Sequence, residues 1–371
     1  MSFPFLDLQA QFAELRDEIM AAIAEVMESQ QFILGPEVDA FEREVAASIG
    51  VRTAISCASG SDALLLALMA LGIGHGDEVI TTPFTFVATA GAIARLGARP
   101  VFVDIAPGTF NIDPTLVRAA VSERTRAIIP VHLFGLAADC QKIEETAKEL
   151  NLPIVEDAAQ AIGARYKGSS AGKLGTIACF SFFPSKNLGG AGDGGMLTTE
   201  DPQLETKLRA LRAHGGLRKY HYDILGTNSR LDAIQAAILR IKLPYLDKWT
   251  RKRRENAERY RQMFAQRGLT ELIALPTEPA GYYHVYNQFT IRCGKRDALR
   301  EFLRDNGIPS EVYYPLPLHL QPAFEYLRHK PGAFPASESA SRDVLSLPIY
   351  PELRAEHQAA VVDSVARFFG V

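Results

Sequence analysis

The sequence predicts an α/β protein: a three-layer α/β/α large domain built on a mostly parallel sheet, followed by a smaller C-terminal α+β domain. Three observations predict it. Between Thr53 and Asp157 short apolar strands alternate with helical stretches, which a parallel sheet covered on both faces explains economically. The apolar runs PIVED and ACFSFF each end in polar residues near turn formers, as buried strands do when they deliver side chains to one edge of a sheet. From about Thr250 the composition shifts to the basic helix TRKRRENAERYRQMFAQRG, which separates a large domain at 1–249 from a small one at 250–371.

The composition narrows the function classes. Of 371 residues, 47% are apolar and 22% charged, ordinary globular values with enough chain for two or three domains. A formal charge of −3 gives no footprint for nucleic acid, and the basic helix lacks the interleaved aromatics that stack on bases. MSFPFLDLQ has no basic segment ahead of an apolar one, and no run approaches the roughly 18 to 20 apolar residues of a membrane span. A soluble cytoplasmic chain without membrane partners is expected. Cys57, Cys140, Cys179 and Cys293 lack paired spacing, so they are expected to be core thiols with no metal site.

The elements follow in order. Apolar residues recur every three or four positions from Leu8 to Glu28, giving an amphipathic helix that Gly35-Pro36 ends; a second runs through VDAFEREVAASI to Gly50. TAISC is a strand, and the Ser-Gly-Ser turn after it opens a helix whose free N–H groups suit an anion, or whose serines merely cap it. EVITTPFTFVATAGAIARLG repeats strand, turn and helix, with Phe84 and Phe86 at the junction, either packed in the core or stacked on a flat ring. RPVFVD, RAIIPV and PIVED continue the strands, and Cys140 to Leu150 is a helix. After Gly195 come the strand MLTTE and the helix PQLETKLRALRAHGG, then a polar loop and another helix, with Arg230 and Asp232 placed for an ion pair at its start. In the small domain HVYNQFTIRC reads as a strand, RDALREFLRDNG and VDSVARFFG as helices, and EVYYPLPLHLQPAF is too rich in proline for an internal strand.

The chemistry concentrates between Asp157 and Lys186. Asp157 closes one strand with Gln160 a turn further on, and Lys186 follows SFFPS among glycines, where an amine is held partly desolvated. Singly these are a strand-end carboxylate and a surface lysine. Together with Ser181, either a phosphate ligand or a plain strand hydroxyl, they form the inventory of pyridoxal phosphate, which takes a lysine for attachment, an acid against its ring nitrogen and donors around its phosphate. Gly190, Gly192 and Gly195 also satisfy G-x-G-x-x-G, but the strand MLTTE follows where a dinucleotide site opens a helix. AGKLGT is not a P-loop, since Leu174 follows Lys173.

FLDLQAQF, FILGPEVDAFE, ASGSDALLLAL, TTPFTFVAT, PVHLFG, VEDAAQAIGA, SFFPSKNLGGAGDGG and GTNSRLDAIQAAIL occur in this order along the chain. In them the sequence resembles, over essentially its whole length, the DegT/DnrJ/EryC1/StrS family of pyridoxal-phosphate-dependent nucleotide-sugar aminotransferases, which have the type I fold. The resemblance implies that Lys186 carries the cofactor and shuttles a proton, that Asp157 stabilises the pyridinium, and that Gln160 meets the phenolic oxygen. It implies Phe86 stacked on the ring, and phosphate held by Gly60, Ser61, Ser181 and, from the neighbouring subunit of a homodimer, Asn228. L-Glutamate is the implied amine donor, leaving 2-oxoglutarate, and a keto nucleotide-sugar the acceptor. YYPLPLHLQ resembles relatives that aminate C3, with Tyr313, Tyr314 and His319 as sugar-pocket residues, His319 reading equally as a satisfied loop histidine. UDP-3-keto-N-acetylglucosamine or its uronic acid is then the substrate; Arg230 would pair with a C6 carboxylate, or only with Asp232. The alternatives are a dTDP-linked 3-keto-6-deoxyhexose, a 4-keto sugar, a dehydratase, which carries histidine where this chain has Lys186, and a non-catalytic regulator that binds the cofactor.

Overall fold

The computed structural model describes residues 3–218 and 220–371. Its centre is a seven-stranded sheet in the spatial order Arg99–Phe102, Glu78–Thr81, Thr125–Ile128, Val155–Asp157, Ile177–Ser181, Gly195–Thr199 and Thr53–Cys57. The seam in the middle is parallel, through the bridges Ile128–Ile154 and Val131–Asp157, and Asp157 N donates to Pro130 O at 2.9 Å. Gly195–Thr199 runs antiparallel to both neighbours, and the other strands run one way, so their C-terminal ends share an edge. Thr53–Cys57, covered on both faces, buries every residue, Thr53 and Ser56 included.

Helix Gly60–Ala70 is apolar all round and is buried accordingly, with Leu64, Leu66 and Leu68 inaccessible against strand and helix neighbours. Each such leucine contributes roughly 1.5–3 kcal/mol of burial. On the other face, Phe41 and Val45 of helix Pro36–Ile49 pack with Ala236 and Leu239 of helix Ala233–Lys242 and with Phe182. The N-terminal helix Leu8–Ser29 lays Leu15 and Ile19 on Ile238 and Trp249. The helix expected to run on to Gly216 is Pro202–Leu211 only. His214 and Gly215 take positive φ, and Thr227 N claims Leu211 O at 2.8 Å, so the chain turns back here.

The C-terminal part is built on the antiparallel pair Phe289–Arg292 and Val344–Leu347. Helices Leu246–Gln266, Arg296–Asp305 and Ala355–Phe369 enclose a second core around Tyr260, Phe289, Leu299 and Val361. Phe3 inserts into that core and stacks on His357 at 4.3 Å. The strand expected over HVYNQFTIRC is laddered only from Phe289, because the residues before it cross to the other core: Val285 N donates to Gly135 O at 3.0 Å and Asn287 N to Phe134 O at 3.0 Å. All four cysteines are buried and unpaired. Among the described residues no helix is long and apolar enough to cross a membrane.

Candidate active site

The shared edge of the sheet opens into a cleft of about 500 Å³ between the two cores. Its floor begins where Thr53–Cys57 ends. Ser59 caps helix Gly60–Ala70, its Oγ accepting from Asp62 N at 3.1 Å, so the Gly60 and Ser61 N–H groups at the helix mouth have no intrahelical acceptor. Gly60 is required there: a Cβ would lie 2.6 Å from Ser181 Cβ. Its absence leaves a cradle between the helix mouth and Ser181.

Asp157 ends its strand buried at the cleft wall. Its Oδ2 accepts from Thr89 Oγ1 at 2.7 Å and its Oδ1 from Ala159 N at 3.2 Å. Burial pushes its carboxyl above the usual range, and the Thr89 bond, the Ala159 bond and the nearby Lys186 charge pull against that. Among the described residues Lys186 is the only cation lining the cleft. Burial lowers its amine to about 8, Asp157 opposing. The loop after it is fixed on several sides. Gly190 N donates to Phe182 O at 2.8 Å, Lys242 Nζ donates to Gly189 O, and Asn187 donates to Val285 O at 3.1 Å and accepts from Asn287 at 2.9 Å.

Gln160 accepts from Phe134 N at 2.7 Å and donates to Tyr314 Oη at 3.2 Å. Phe86 is 55% exposed, whereas Phe84 is fully buried against Phe110, Phe134 and Tyr314, so the two aromatics at this junction divide between cleft and core. Gly60, Ser61, Phe86, Asp157, Gln160, Ser181, Lys186, Tyr313 and Tyr314 therefore line one cleft. These residues fit pyridoxal phosphate: the cradle suits a phosphate, Phe86 offers a ring face, and the Asp157 carboxylate has room for a cation besides Lys186.

Asn228, Arg230 and His319 do not line it. Asn228 is exposed on a turn that is set within this chain, where Ser229 N donates to Arg212 O at 3.0 Å and Ser229 Oγ to Asp62 at 2.7 Å. Arg230 is half-buried, and among the described residues no ion pair involves it; Asp232 instead caps the next helix by accepting from Gln235 N at 2.8 Å. His319 is buried, with Nε2 3.1 Å from Glu338 and its ring edge-on to Phe334.

Several residues escaped the sequence. Thr89 holds Asp157 from four residues beyond Thr85, and nothing in TFVAT marks it. Glu156 faces away from the cleft and accepts from Gly172 N (2.8 Å), Leu174 N (2.7 Å), Gly175 N (2.7 Å) and His132 Nε2 (2.9 Å). Ala138 N donates to His132 Nδ1 at 3.1 Å, which puts the imidazole proton on Nε2. Gln288 lines the cleft and looked like a strand residue.

A cleft of this composition on this sheet suits an aminotransferase, and comparison with known proteins agrees. The chain belongs to the DegT/DnrJ/EryC1/StrS aminotransferase family, whose profile matches residues 13–366. It is 53% identical to a pleiotropic regulatory protein of Geobacillus stearothermophilus, covering all of this chain and 99% of that one. It is 48% identical to a UDP-N-acetyl-3-dehydro-α-D-glucosamine 3-aminotransferase of Acidithiobacillus ferrooxidans, over 99% of this chain and 98% of that one. Among solved structures, DesV of S. venezuelae in complex with a ketimine intermediate superposes with a TM-score of 0.96 at 45% identity, over 99% and 98% of the two chains. NtdA of Bacillus subtilis with bound cofactor PMP gives 0.90 at 32%, over 96% and 82%.

Proposed function

We propose that the protein binds pyridoxal 5′-phosphate through Lys186 and moves the amino group of L-glutamate onto C3 of a UDP-linked 3-keto-N-acetylglucosamine or its uronic acid, releasing 2-oxoglutarate. The observation that carries this is the pairing, in one cleft, of a buried carboxylate at Asp157 with an amine at Lys186 lowered to about 8. The likeness to the A. ferrooxidans 3-aminotransferase and the segment YYPLPLHLQ support the sugar and the position.

When bound, the cofactor supplies an electron sink to the carbon that loses its proton. Asp157 keeps the ring nitrogen protonated, and a cation there in turn favours its own ionised form. Gly60, Ser61 and Ser181 hydrogen-bond the phosphate at the helix mouth, and Phe86 covers one ring face. Gln160 has a second N–H beyond the one it gives Tyr314, which would serve the cofactor's phenolic oxygen. With its amine near 8, Lys186 is neutral in a useful fraction at working pH, so Nζ takes the proton from the amino-bearing carbon of the donor and returns one to C3 of the acceptor. Among the described residues no arginine lines the cleft for the donor's carboxylates. The site is shared in a homodimer, Asn228 reaching the other subunit's phosphate and, where the sugar is a uronic acid, Arg230 its C6 carboxylate. The unpaired, buried thiols suit a cytoplasmic setting.

The test is a panel of UDP- and dTDP-linked 3-keto and 4-keto sugars assayed for glutamate-dependent amination. Amination of a UDP-linked 3-keto sugar is expected, and strict use of a 4-keto sugar would overturn the C3 assignment. The name of the G. stearothermophilus relative favours a second reading, a regulator that binds the cofactor. That reading predicts a yellow protein that does not turn over with any of the panel.

A further inference from the structure

Two glutamines lie on either side of one residue, Phe134, at the back of the cleft. Phe134, at φ 59°, gives its N–H to Gln160 and its carbonyl to Asn287 N (3.0 Å) and Gln288 N (3.4 Å). Gln160 has both ends of its amide engaged within the chain, by Phe134 and Tyr314. Gln288 has neither. Its Oε1 is enclosed without a donor, out of reach of a ligand in the cleft, while its Nε2 is not enclosed and has no acceptor among the described residues. An amide left so loses about 1–3 kcal/mol relative to a paired one, and such groups are rare unless a ligand or water completes them.

The placement says which ligand. Gln288 lines the cleft on the side formed by the C-terminal core, with Tyr313 and Tyr314, across from the phosphate cradle built by the sheet. On its other side Gln288 also lines a recess of about 10 Å³, room for one water at most, walled by Phe110, Leu133 and Phe134 together with Thr277, His284 and Thr290. Its backbone is held rigidly, because its neighbour Asn287 bonds Asn187, next to Lys186, at 2.9 Å. A neutral amide is a poor match for the two carboxylates of an amino-acid donor, which call for guanidinium or ammonium groups. It matches neutral groups with lone pairs.

We propose that Gln288 is a specificity-determining residue of this site: its free side-chain N–H donates to the hydroxyl or acetamido oxygen on the sugar carbon beside the keto carbon. This rests on the sugar-nucleotide reading above. A site built around such a bond penalises substrates lacking the group, because the amide is then left unpaired.

The experiment compares wild type, Gln288→Leu and Gln288→Glu. Steady-state kcat/KM is measured separately for glutamate and for UDP-linked 3-keto sugars bearing acetamido, hydroxyl or hydrogen at C2, and binding of UDP-N-acetylglucosamine is measured by calorimetry. Gln288→Leu is expected to lower kcat/KM for the substituted sugar roughly ten- to a hundredfold, at least ten times more than for glutamate. It should also erase the preference over the 2-deoxy analogue and weaken UDP-N-acetylglucosamine binding. A stronger fall with the acetamido sugar than with the hydroxyl sugar identifies the acetamido group as the partner; the reverse identifies the hydroxyl. Equal losses for sugar and glutamate, or an unchanged preference over the 2-deoxy analogue, would overturn the inference while leaving the function intact. Wild-type protein that accepts glutamate but neither binds nor aminates any sugar nucleotide would overturn both.

Discussion

Replacing Lys186 by methionine should make the ligand-free protein more stable, although it removes the proposed attachment point. The structure sets the size of the effect. Burial lowers the Lys186 amine from 10.5 to about 8, and at about 1.4 kcal/mol per pH unit this corresponds to about 3 kcal/mol against keeping the ammonium in the fold. Solvent in the open cleft screens part of it, and Asp157 loses its nearby cation in the variant, so a net gain of about 1–2 kcal/mol is expected. The pH dependence follows from linkage. Between pH 8 and 10.5 the unfolded chain binds a proton at this lysine that the folded one has released, so wild-type stability rises over that window relative to the variant. The advantage of Lys186→Met is therefore full below about pH 8 and vanishes above about pH 10.5. Urea midpoints of the two ligand-free proteins at pH 7 and pH 10, with equal m-values, measure it. No gain at pH 7, or the same gain at both pH values, would refute the buried-amine argument.

Three further outcomes are expected. Asp157→Asn keeps the shape but not the charge and should cut turnover about a hundredfold or more with the fold intact; Thr89→Val, which deletes the 2.7 Å bond to Asp157 along with a 3.1 Å bond to Thr85, should cost about tenfold, and near-normal rates in both would mean another acid does this work. Mixing inactive Lys186→Ala chains with inactive Asn228→Ala chains should restore part of the activity in hybrid dimers; absence of recovery despite proven subunit exchange would place Asn228 outside the partner's site. If the sugar is a uronic acid, Arg230→Ala should abolish the preference of wild type for the C6 carboxylate over the C6 alcohol, and a wild-type preference for the neutral sugar would sink that version of the substrate.

The alternation of strands and helices, the mostly parallel sheet and the grouping of Asp157, Gln160, Ser181 and Lys186 were legible because they depend on local patterns: apolar runs, turn formers and their order. Which of two neighbours faces the cleft was harder. PIVED ends in two acids, and a period of two says only that they point opposite ways. Asp157 follows from its place at the strand end, but the donors that claim Glu156 come from the Gly172–Gly175 turn and His132, distant in sequence. Helix Pro202–Leu211 was overextended for a related reason, since the strain at His214 and Gly215 is offset by bonds to Thr227 and Asp223, which no helical periodicity reports. Gln288 was invisible because a laddered strand and a crossing segment share one apolar pattern.

Three pairs of like residues show how this cleft is made. Glu156 has four donors and is wholly enclosed, while Asp157 beside it has two and faces the cleft. Gln160 has both amide ends engaged and Gln288 neither. Phe84 is buried and Phe86 is 55% exposed. In the two polar pairs the satisfied member fixes the backbone from which the unsatisfied one projects: Glu156 pins the strand that carries Asp157, and Gln160 holds Phe134, whose carbonyl accepts from Gln288 N. Leaving polar groups incomplete costs the empty protein roughly 1–3 kcal/mol apiece, and only rigid neighbours keep them from relaxing into partnerships with each other. The stability lost to the open cleft is therefore recoverable by whatever completes these groups, so cofactor and sugar nucleotide should each raise the melting temperature, and the rise due to the sugar should shrink in Gln288→Leu while the rise due to the cofactor does not.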